Sequence, residues 1–490
     1  MRSITWLGRA RLWLVVAFTY AYFFSGGDPN QATRFALTEA LVERRAPDIT
    51  PVHYRTIDKG YKNDRFYADK APGVSLLSVV PFAIMRGADA VFRIDPRSRD
   101  TQNAKLYFLS LIFSAAAGVG CVLLLRRLAR FLGCSERAAE VTALAYAFGT
   151  LAFPFSTVLF GHQFAALLLL GAFVLALEAR EKEELESPRT LATLGALWSL
   201  SIVVEYPTAL LVTAFGTGLL AWTFDRARPL KSLGRTLLWA GVGGAPVLIV
   251  HAAFLIWAYG KFALPYVYVS EPYFKAHMSG GILGIGMPSR VATYGTLVGA
   301  YRGILFYCPV LALSVAGVGA WIASKRDARP LRVMLPALGL YLLFAFSYYA
   351  WDGGGSVGPR HLVPALPYFM LPIAFFADRS RWAMGLTILL GIVSSGIMLA
   401  ATFVLVQLPQ GDPYSMSPLY DLILPTIARG GGAINAQDSF IPFMRADAAF
   451  NWGKLFGLST RASLFVVPMV WLAAYAPDLL RSLRRTPAHA

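Results

Sequence analysis

Residues 104–125 read AKLYFLSLIFSAAAGVGCVLLL, an apolar run that ends directly in Arg126 and Arg127. A helix of about 20 apolar residues crosses the hydrocarbon core of a bilayer, which is about 30 Å thick. Other runs of this kind recur along the chain, so we predict an all-α polytopic membrane protein. The arginines predict that this run ends in the cytoplasm, because cytoplasmic loops carry an excess of Lys and Arg.

The composition of the 490-residue chain agrees with this class. Hydrophobic residues make up 56% and charged residues only 15%, where a soluble protein carries about 25%, and the mean hydropathy is +0.53. The net charge of +17 comes from basic residues dispersed between the apolar runs, which argues against nucleic acid as a partner. The three cysteines are too widely spaced for a CxxC motif or a disulfide framework.

The preceding run, GVSLLSVVPFAIMRGADAVF at residues 73–92, is ambiguous. If it crossed the membrane, the basic end of the next span would lie outside, against the positive-inside rule. It also contains Arg86 and Asp89, and charged residues are costly at the bilayer centre. We therefore predict that residues 74–92 form a helix lying at the outer interface.

This placement gives about twelve transmembrane helices, with both chain ends in the cytoplasm. We predict a single transmembrane catalytic domain over residues 1–480, in which the first apolar run is retained as a span. Residues 25–102 form a first outer loop with interfacial helices, and residues 407–460 form a second large outer segment. Residues 478–490 form a basic cytoplasmic tail.

Once the chain is oriented, most acids and four of the six histidines lie on the outer side. The acids include Asp28, Asp48, Asp58, Asp64, Asp69, Glu271, Asp352, Asp412 and Asp438, and the histidines are His53, His162, His277 and His361. A conduction pathway would place ionisable residues within the spans. The pattern therefore favours an enzyme or receptor with an outward-facing site.

An acid follows the first span in the stretch SGGDPNQATRF, residues 25–35. Asp28 is followed by Pro29, a pair typical of a helix start at which the acid is the N-cap. A second interpretation makes Asp28 a general base, because partial desolvation raises the pKa of a carboxyl group and suits it to take a proton from a hydroxyl. The sequence leaves both interpretations open.

Charged residues crowd the loop that enters the interfacial helix through FYADKAPG, residues 66–73. Gly73 and the positive N-terminal end of that helix favour an anion, and Lys70 adds a point charge at headgroup depth. These groups predict a phosphate site. The alternative is an interfacial anchor, in which Lys70 binds generic anionic lipids while it is paired to Asp69.

A glycine-rich turn, WDGGGSVGPRH at residues 351–361, joins two later spans. Three consecutive glycines allow close backbone approach or turns with positive φ, and Arg360 can hold phosphate oxygens through two hydrogen bonds. Tyr349 and Trp351 stack on a sugar ring in one interpretation and form an interfacial aromatic belt in the other, which the composition favours.

The remaining outer residues complete the candidate site. The candidate phosphate-binding residues are Lys70, Arg360, Arg302 and Lys59, and the candidate substrate-binding residues are His53, His162, Tyr349, Trp351, Asp352 and His361. A histidine at a span end more often makes a local hydrogen bond than binds a ligand. The outer histidines match no local metal-binding spacing, so we assign no metal ligand and leave a divalent metal open.

The order of these motifs resembles the GT-C superfamily of membrane glycosyltransferases. The similar branch contains the dolichyl-phosphate-mannose protein mannosyltransferases and the bacterial aminoarabinose lipid A transferase. Shared features are an acid just after the first span, here Asp28, and interfacial helices entered through a Lys-Pro element, here DKAPG. GPRHLVPALP (358–367) and RGILFYCPV (302–310) are similar to segments of many bacterial members. The resemblance covers roughly residues 10–370.

The resemblance implies roles for individual residues. The family's catalytic base falls on Asp28, with Asp58 and Asp69 as rival bases. The lysine that contacts the lipid phosphate falls on Lys70, and a second phosphate contact falls on Arg360.

The sequence therefore predicts a glycosyltransferase that moves a sugar from a polyprenyl-phosphate donor to a hydroxyl of a glycan, lipid or protein acceptor. We expect it in the inner membrane of a bacterium, among membrane lipids, with its active site facing outward. One alternative is a lipid or solute transporter or flippase. Another is an assembly factor whose outer loops bind a partner protein.

Overall fold

Helices make up most of the computed structural model, which describes residues 2–278, 280–432 and 450–484. The helices of the first half are α1 (Arg2–Tyr22), α2 (Pro29–Glu39), α3 (Gly73–Leu77), α4 (Val79–Phe92), α5 (Arg99–Ser110), α6 (Ala116–Phe131), α7 (Glu136–Gly149), α8 (Ala152–Phe155), α9 (His162–Glu181), α10 (Pro188–Val204), α11 (Thr208–Thr223) and α12 (Pro229–Tyr259). Those of the second half are α13 (Pro272–Met278), α14 (Arg290–Leu297), α15 (Ile304–Tyr307), α16 (Leu313–Ala323), α17 (Leu331–Ser347), α18 (Leu366–Ala377), α19 (Arg381–Val404), α20 (Leu424–Ala428), α21 (Trp452–Leu455) and α22 (Thr460–Arg484).

Five of the described helical segments are long and apolar enough to cross a bilayer, and they are Arg99–Phe131, His162–Glu181, Pro229–Tyr259, Arg360–Ala377 and Arg381–Val404. Shorter apolar helices of 10–17 residues accompany them. The chain is therefore an all-α polytopic membrane protein, as predicted, whereas the number of twelve spans stays a prediction. Asp438 and parts of the predicted segments 407–460 and 478–490 lie outside the described residues.

Two small antiparallel sheets connect loops at the end of the helix bundle that contains the C-terminus of α1. β1 (Phe23–Phe24) pairs with β4 (Phe450–Asn451), which ties the end of α1 to the chain before α22. β2 (Lys59–Lys62) and β3 (Arg65–Ala68) form a hairpin whose two turn residues both have positive φ. The backbone N–H of Ser270 donates to the carbonyl of Lys59 at 3.1 Å. This bond joins the loop after α12 to the hairpin.

Close packing of α10 against α12 fixes the position of the residues that follow α10. A Cβ added at Gly195 would lie 1.9 Å from the Ala240 carbonyl oxygen, and one at Gly243 would lie 1.8 Å from that of Ala192. Only glycine fits at either position, and such small residues let membrane helices approach closely. The contact holds the end of α10 in a defined position.

The structure divides the helix predicted over residues 74–92 into α3 and α4. Of these, α4 carries charged residues on one side and apolar residues on the other. Arg86 Nε lies 2.7 Å from Glu43 Oε1, and Lys105 Nζ, near the start of the first long span, lies 2.5 Å from Asp89 Oδ2. The exposed apolar residues are Val80, Ile84, Val91 and Phe92. The charges that made a crossing costly are thus paired with neighbouring elements.

We expect Asp89→Asn to lower the free energy of unfolding by about 3–5 kcal/mol, because it leaves the buried Lys105 ammonium without its carboxylate. The double variant Asp89→Leu/Lys105→Met removes both charges and is expected to recover most of that loss. Thermal unfolding in detergent measures both. A single variant as stable as the wild type would show that this ion pair does not hold α4.

Candidate active site

A cavity of about 400 Å³ lies where α1 ends and α9 begins. Its wall is formed by the start of α2, the loops on either side of the β2–β3 hairpin and the residue that follows α10. The loop before α13, α13 itself and the glycine-rich turn before α18 complete it. Its volume is typical of a small-molecule site. Nine residues singled out from the sequence line it, namely Asp28, Asp58, Asp69, Lys70, His162, Tyr349, Asp352, Arg360 and His361.

Asp28 precedes α2 and is its N-cap. Its Oδ1 accepts hydrogen bonds from the backbone N–H groups of Asn30 at 2.7 Å and Gln31 at 3.2 Å. Burial raises the pKa of Asp28 to about 6, and the positive charge of Arg360 offsets only part of this effect. Both cap bonds go to one oxygen, so capping does not exclude a second role for the carboxylate.

Lys70 lies between two carboxylates of the cavity lining. Its Nζ is 3.0 Å from Asp58 Oδ2 and 3.0 Å from Asp69 Oδ1. Burial alone would lower the pKa of Lys70, but the two acids outweigh it and raise that pKa. Burial likewise raises the pKa of Asp69 to about 6 against the lowering effect of Lys70. Lys70 is thus held as an ammonium at the cavity surface.

Two further charged residues, Arg34 and Glu205, meet in the cavity wall. Arg34 NH2 lies 3.6 Å from Glu205 Oε2, and Arg34 Nε donates to Asn30 Oδ1 at 2.8 Å. The same Glu205 oxygen lies 3.2 Å from His162 Nδ1. Burial raises the pKa of Glu205, against the charges of Arg34 and Arg360. Sequence reasoning did not single out Arg34, although Asn30 and Arg34 share one face of α2.

The glycine-rich turn brings Arg360 and His361 to the cavity. Gly353, Gly354 and Gly358 have φ of 76°, 65° and 61°, and a Cβ on Gly358 would lie 2.8 Å from Leu151 Cδ2. These positions therefore require glycine. The Arg360 guanidinium lies 5.4 Å from the centre of the Phe160 ring, a distance at which it makes a cation–π contact.

Tyrosines cover the side of the cavity nearest α13. The lining tyrosines are Tyr266, Tyr273, Tyr348 and Tyr349. His277 stacks on Tyr349 with ring centres 5.2 Å apart. Such aromatic faces suit the apolar face of a sugar ring, while their hydroxyl groups suit its polar edge.

Comparison with solved structures shows a similar overall fold. The structure of ArnT from Cupriavidus metallidurans bound to undecaprenyl phosphate superposes with a TM-score of 0.51 at 14% identity, covering 99% of this chain and 81% of that one. The chain has a GT-C-like fold. The apo structure of the same ArnT gives a TM-score of 0.47, also at 14% identity, with 100% and 82% covered. No protein-family model and no curated protein sequence matches the chain.

In this GT-C-like fold, four of the residues singled out from the sequence lie outside the cavity lining. Arg302 is fully buried and donates to the carbonyl of Pro409 at 2.9 Å. Lys59 Nζ donates to the carbonyl of His53 at 2.9 Å, and the His53 ring stacks on Phe66 at 4.0 Å. Trp351 packs on Gly295, where an added Cβ would lie 2.2 Å from the indole. Of the four residues, Arg302 contacts the cavity lining through Pro409.

The histidines and cysteines of the described segments do not gather into one cluster. His162 and His361 share the cavity, whereas His53 lies on the hairpin side and His277 is exposed. The cysteines Cys121, Cys134 and Cys308 are buried and free. Within the described ranges, no three His, Cys, Asp or Glu side chains converge in a metal-binding arrangement.

Proposed function

We propose that the chain is a glycosyltransferase that transfers a sugar from a polyprenyl-phosphate donor to an acceptor hydroxyl on the outer face of a bacterial inner membrane. One observation carries the proposal: the same cavity is lined by a buried carboxylate with a raised pKa, Asp28, together with Lys70 and Arg360. The ArnT of similar fold was crystallised with undecaprenyl phosphate, which supports a polyprenyl-phosphate donor.

Asp28, Lys70 and Arg360 have separate roles in the proposed reaction. Asp28 takes the proton of the acceptor hydroxyl while the acceptor oxygen forms a bond to the anomeric carbon of the sugar. The bond between that carbon and the phosphate oxygen breaks, and the lipid phosphate leaves with an additional negative charge. Lys70 and Arg360 stabilise this charge as it grows in the transition state.

The test is sugar transfer by purified protein in lipid nanodiscs. Radiolabelled undecaprenyl-phosphate sugars serve as donors, and glycolipid, peptide and oligosaccharide panels serve as acceptors. We expect one donor and acceptor pair to give labelled product and free undecaprenyl phosphate in equal amounts. No transfer across the panels, together with donor movement between bilayer leaflets, would identify the protein as a flippase instead.

The pH profile of this reaction tests the carboxylate. Asp28 must be ionised to accept a proton, and burial raises its pKa to about 6. Activity is therefore expected to be full above about pH 7 and to fall tenfold per pH unit below about pH 6. The measurement is kcat/KM between pH 4.5 and 8. If kcat/KM instead began to fall only near pH 4, the ordinary pKa range of an aspartate, the base would not be a buried carboxylate with a raised pKa.

Asp69 needs a separate control, because burial raises its pKa to about 6 as well. In Asp69→Asn the fall of kcat/KM below about pH 6 (the acid limb of the profile) is expected to persist, since Asp28 is unchanged. Loss of the limb in that variant would transfer the role of base to Asp69.

A further inference from the structure

An open groove of about 730 Å³ lies at the turn between α18 and α19. It is lined by Arg379, Ser380 and Arg381 of the turn, by Phe376 of α18 and by the first turns of α19. Its volume is typical of a ligand site. The groove and the candidate active site share no lining residue in the described part of the chain. The proposed reaction therefore does not use this groove.

The course of α18 and α19 places the groove at the end of the bundle remote from the cavity. The segment Arg360–Ala377 begins in the cavity lining and is long enough to cross a bilayer. The helix α19 is long enough to return, and Gln410, a few residues beyond its end, lines the cavity again. The turn between the two helices therefore lies at the opposite membrane surface.

The turn presents two arginines, Arg379 and Arg381, that are exposed and have no acidic partner among the described residues. The acid of the same turn, Asp378, already has partners. Its Oδ2 lies 2.7 Å from Arg326 NH2, and its Oδ1 accepts the backbone N–H of Ser135 at 3.2 Å. The positive N-terminal end of α19 begins at the second arginine. This end of the groove therefore favours an anion.

Beyond the arginines the wall of the groove is apolar. Trp382, Leu386 and Leu389 follow one another at helical spacing and form an apolar face of α19. They are 90%, 42% and 58% exposed. A Cβ added at Gly385 would meet no neighbouring atom within 4 Å, so the groove is open at this point. Tryptophan at a helix end is typical of headgroup depth, and the leucines lie further into the bilayer.

A cationic end that leads into an apolar face matches the two parts of a phospholipid. Arginine binds phosphate oxygens through parallel hydrogen bonds, and an acyl chain covers exposed apolar surface. An acidic peptide or a free phosphate would leave the apolar face uncovered. A zwitterionic lipid would bring a cation of its own towards the two arginines, and like charges repel. An anionic phospholipid carries neither disadvantage.

We propose that this groove binds an anionic phospholipid of the leaflet remote from the cavity. Arg379 and Arg381 hold its phosphate, and one acyl chain lies along the apolar face of α19. The inference goes beyond the proposed function and does not depend on it, because the groove and the cavity lie at opposite ends of the bundle.

Binding of single lipids to the detergent-purified full-length protein tests the proposal. The probes are dioleoylphosphatidylglycerol and dioleoylphosphatidylcholine, which share their acyl chains and differ in net charge, and native mass spectrometry gives the Kd of each. We expect phosphatidylglycerol to bind about tenfold tighter, because each nearby arginine strengthens binding to an anionic lipid severalfold. Excess inorganic phosphate is expected to leave phosphatidylglycerol bound. Displacement by phosphate would show a site for ions alone and overturn the inference.

Removing the two arginines assigns the preference to the groove. Arg379→Gln/Arg381→Gln is expected to reduce the preference for phosphatidylglycerol to less than about twofold. Arg226→Gln/Arg228→Gln is the matched control, since it removes the same charge from exposed arginines near the start of α12, outside the groove lining. This control is expected to keep the tenfold preference. An equal loss in both double variants would show that overall positive charge attracts the lipid, and the inference would be wrong.

Filling the groove tests the place of the acyl chain. Gly385→Leu puts a side chain into the open space, and because leucine favours a helix more than glycine does, the protein is expected to stay folded. We expect it to weaken phosphatidylglycerol binding about tenfold. Gly396→Leu is the matched control, because Gly396 lies on the same helix with equal space around an added Cβ and outside the groove lining.

Two results with Gly385→Leu would overturn the inference. Unchanged binding of phosphatidylglycerol would show that the lipid does not lie in the groove. A wild-type dimer that this substitution converts to a monomer would show that a second copy of the chain covers the groove instead. Native mass spectrometry reports both results on the same preparations, and thermal unfolding verifies that each variant is folded.

Discussion

Replacing Asp28 with asparagine is expected to lower kcat for sugar transfer by about 10³-fold while the protein stays folded. Asparagine is as good an N-cap as aspartate, and its amide oxygen can accept the bonds that Asn30 and Gln31 donate to Oδ1. The lost property is the ability of the carboxylate to take a proton. The substitution therefore separates the two interpretations that the sequence left open.

Activity and stability are measured on the same preparations. A labelled undecaprenyl-phosphate sugar reports transfer, and thermal unfolding in detergent reports stability. Asp28→Ala is expected to lose the same activity and, in addition, about 1 kcal/mol of stability with the cap. The matched control is Asp64→Asn, because Asp64 lies at the hairpin turn, bonded to Tyr61 and outside the cavity lining. Wild-type transfer by Asp28→Asn would remove Asp28 from the reaction.

The rival acids are expected to behave differently. Asp58 and Asp69 are both 3.0 Å from the Lys70 ammonium, so their first effect is to position that cation. Asp58→Asn and Asp69→Asn are therefore expected to change the KM for the donor more than kcat. A 10³-fold loss of kcat in either of them, with Asp28→Asn still active, would reassign the base.

Local sequence patterns predicted the parts of the site that depend on neighbours in the chain. The apolar run at residues 104–125 and the basic residues after it predicted the class. Asp28 next to Pro29 predicted a helix cap, and the structure has it. Arg86 and Asp89 both make ion pairs with other elements, while the expectation that α4 does not cross the membrane stays a prediction.

Contacts between distant segments were beyond the same reasoning. Glu205 meets Arg34 and His162 only because α10 packs closely on α12 and against the start of α9, and no local pattern encodes those contacts. Arg302 was singled out for its charge, but a charge does not reveal the direction of a side chain, and this one is buried against backbone carbonyls. The residues that sequence reasoning missed are those fixed by packing.

Removing the charge of Lys70 is expected to produce the second large loss of sugar-transfer activity. Lys70→Met should lower kcat/KM by about 10²–10³-fold, because the departing phosphate loses a cation that stabilises its developing charge. The same change leaves Asp58 and Asp69 facing each other in a buried site without their shared partner. A stability loss of about 3–5 kcal/mol is therefore expected as well, and this loss could by itself abolish activity.

A second substitution separates the chemical loss from the structural one. Lys70→Met/Asp69→Asn removes one positive and one negative charge together, so it is expected to regain most of the lost stability and none of the lost kcat/KM. Lys70→Arg keeps the charge and is expected to retain more activity than either. Thermal unfolding and sugar transfer are compared across the three variants. If the double variant regains activity along with stability, Lys70 only holds the two carboxylates apart, and the phosphate is bound by other residues.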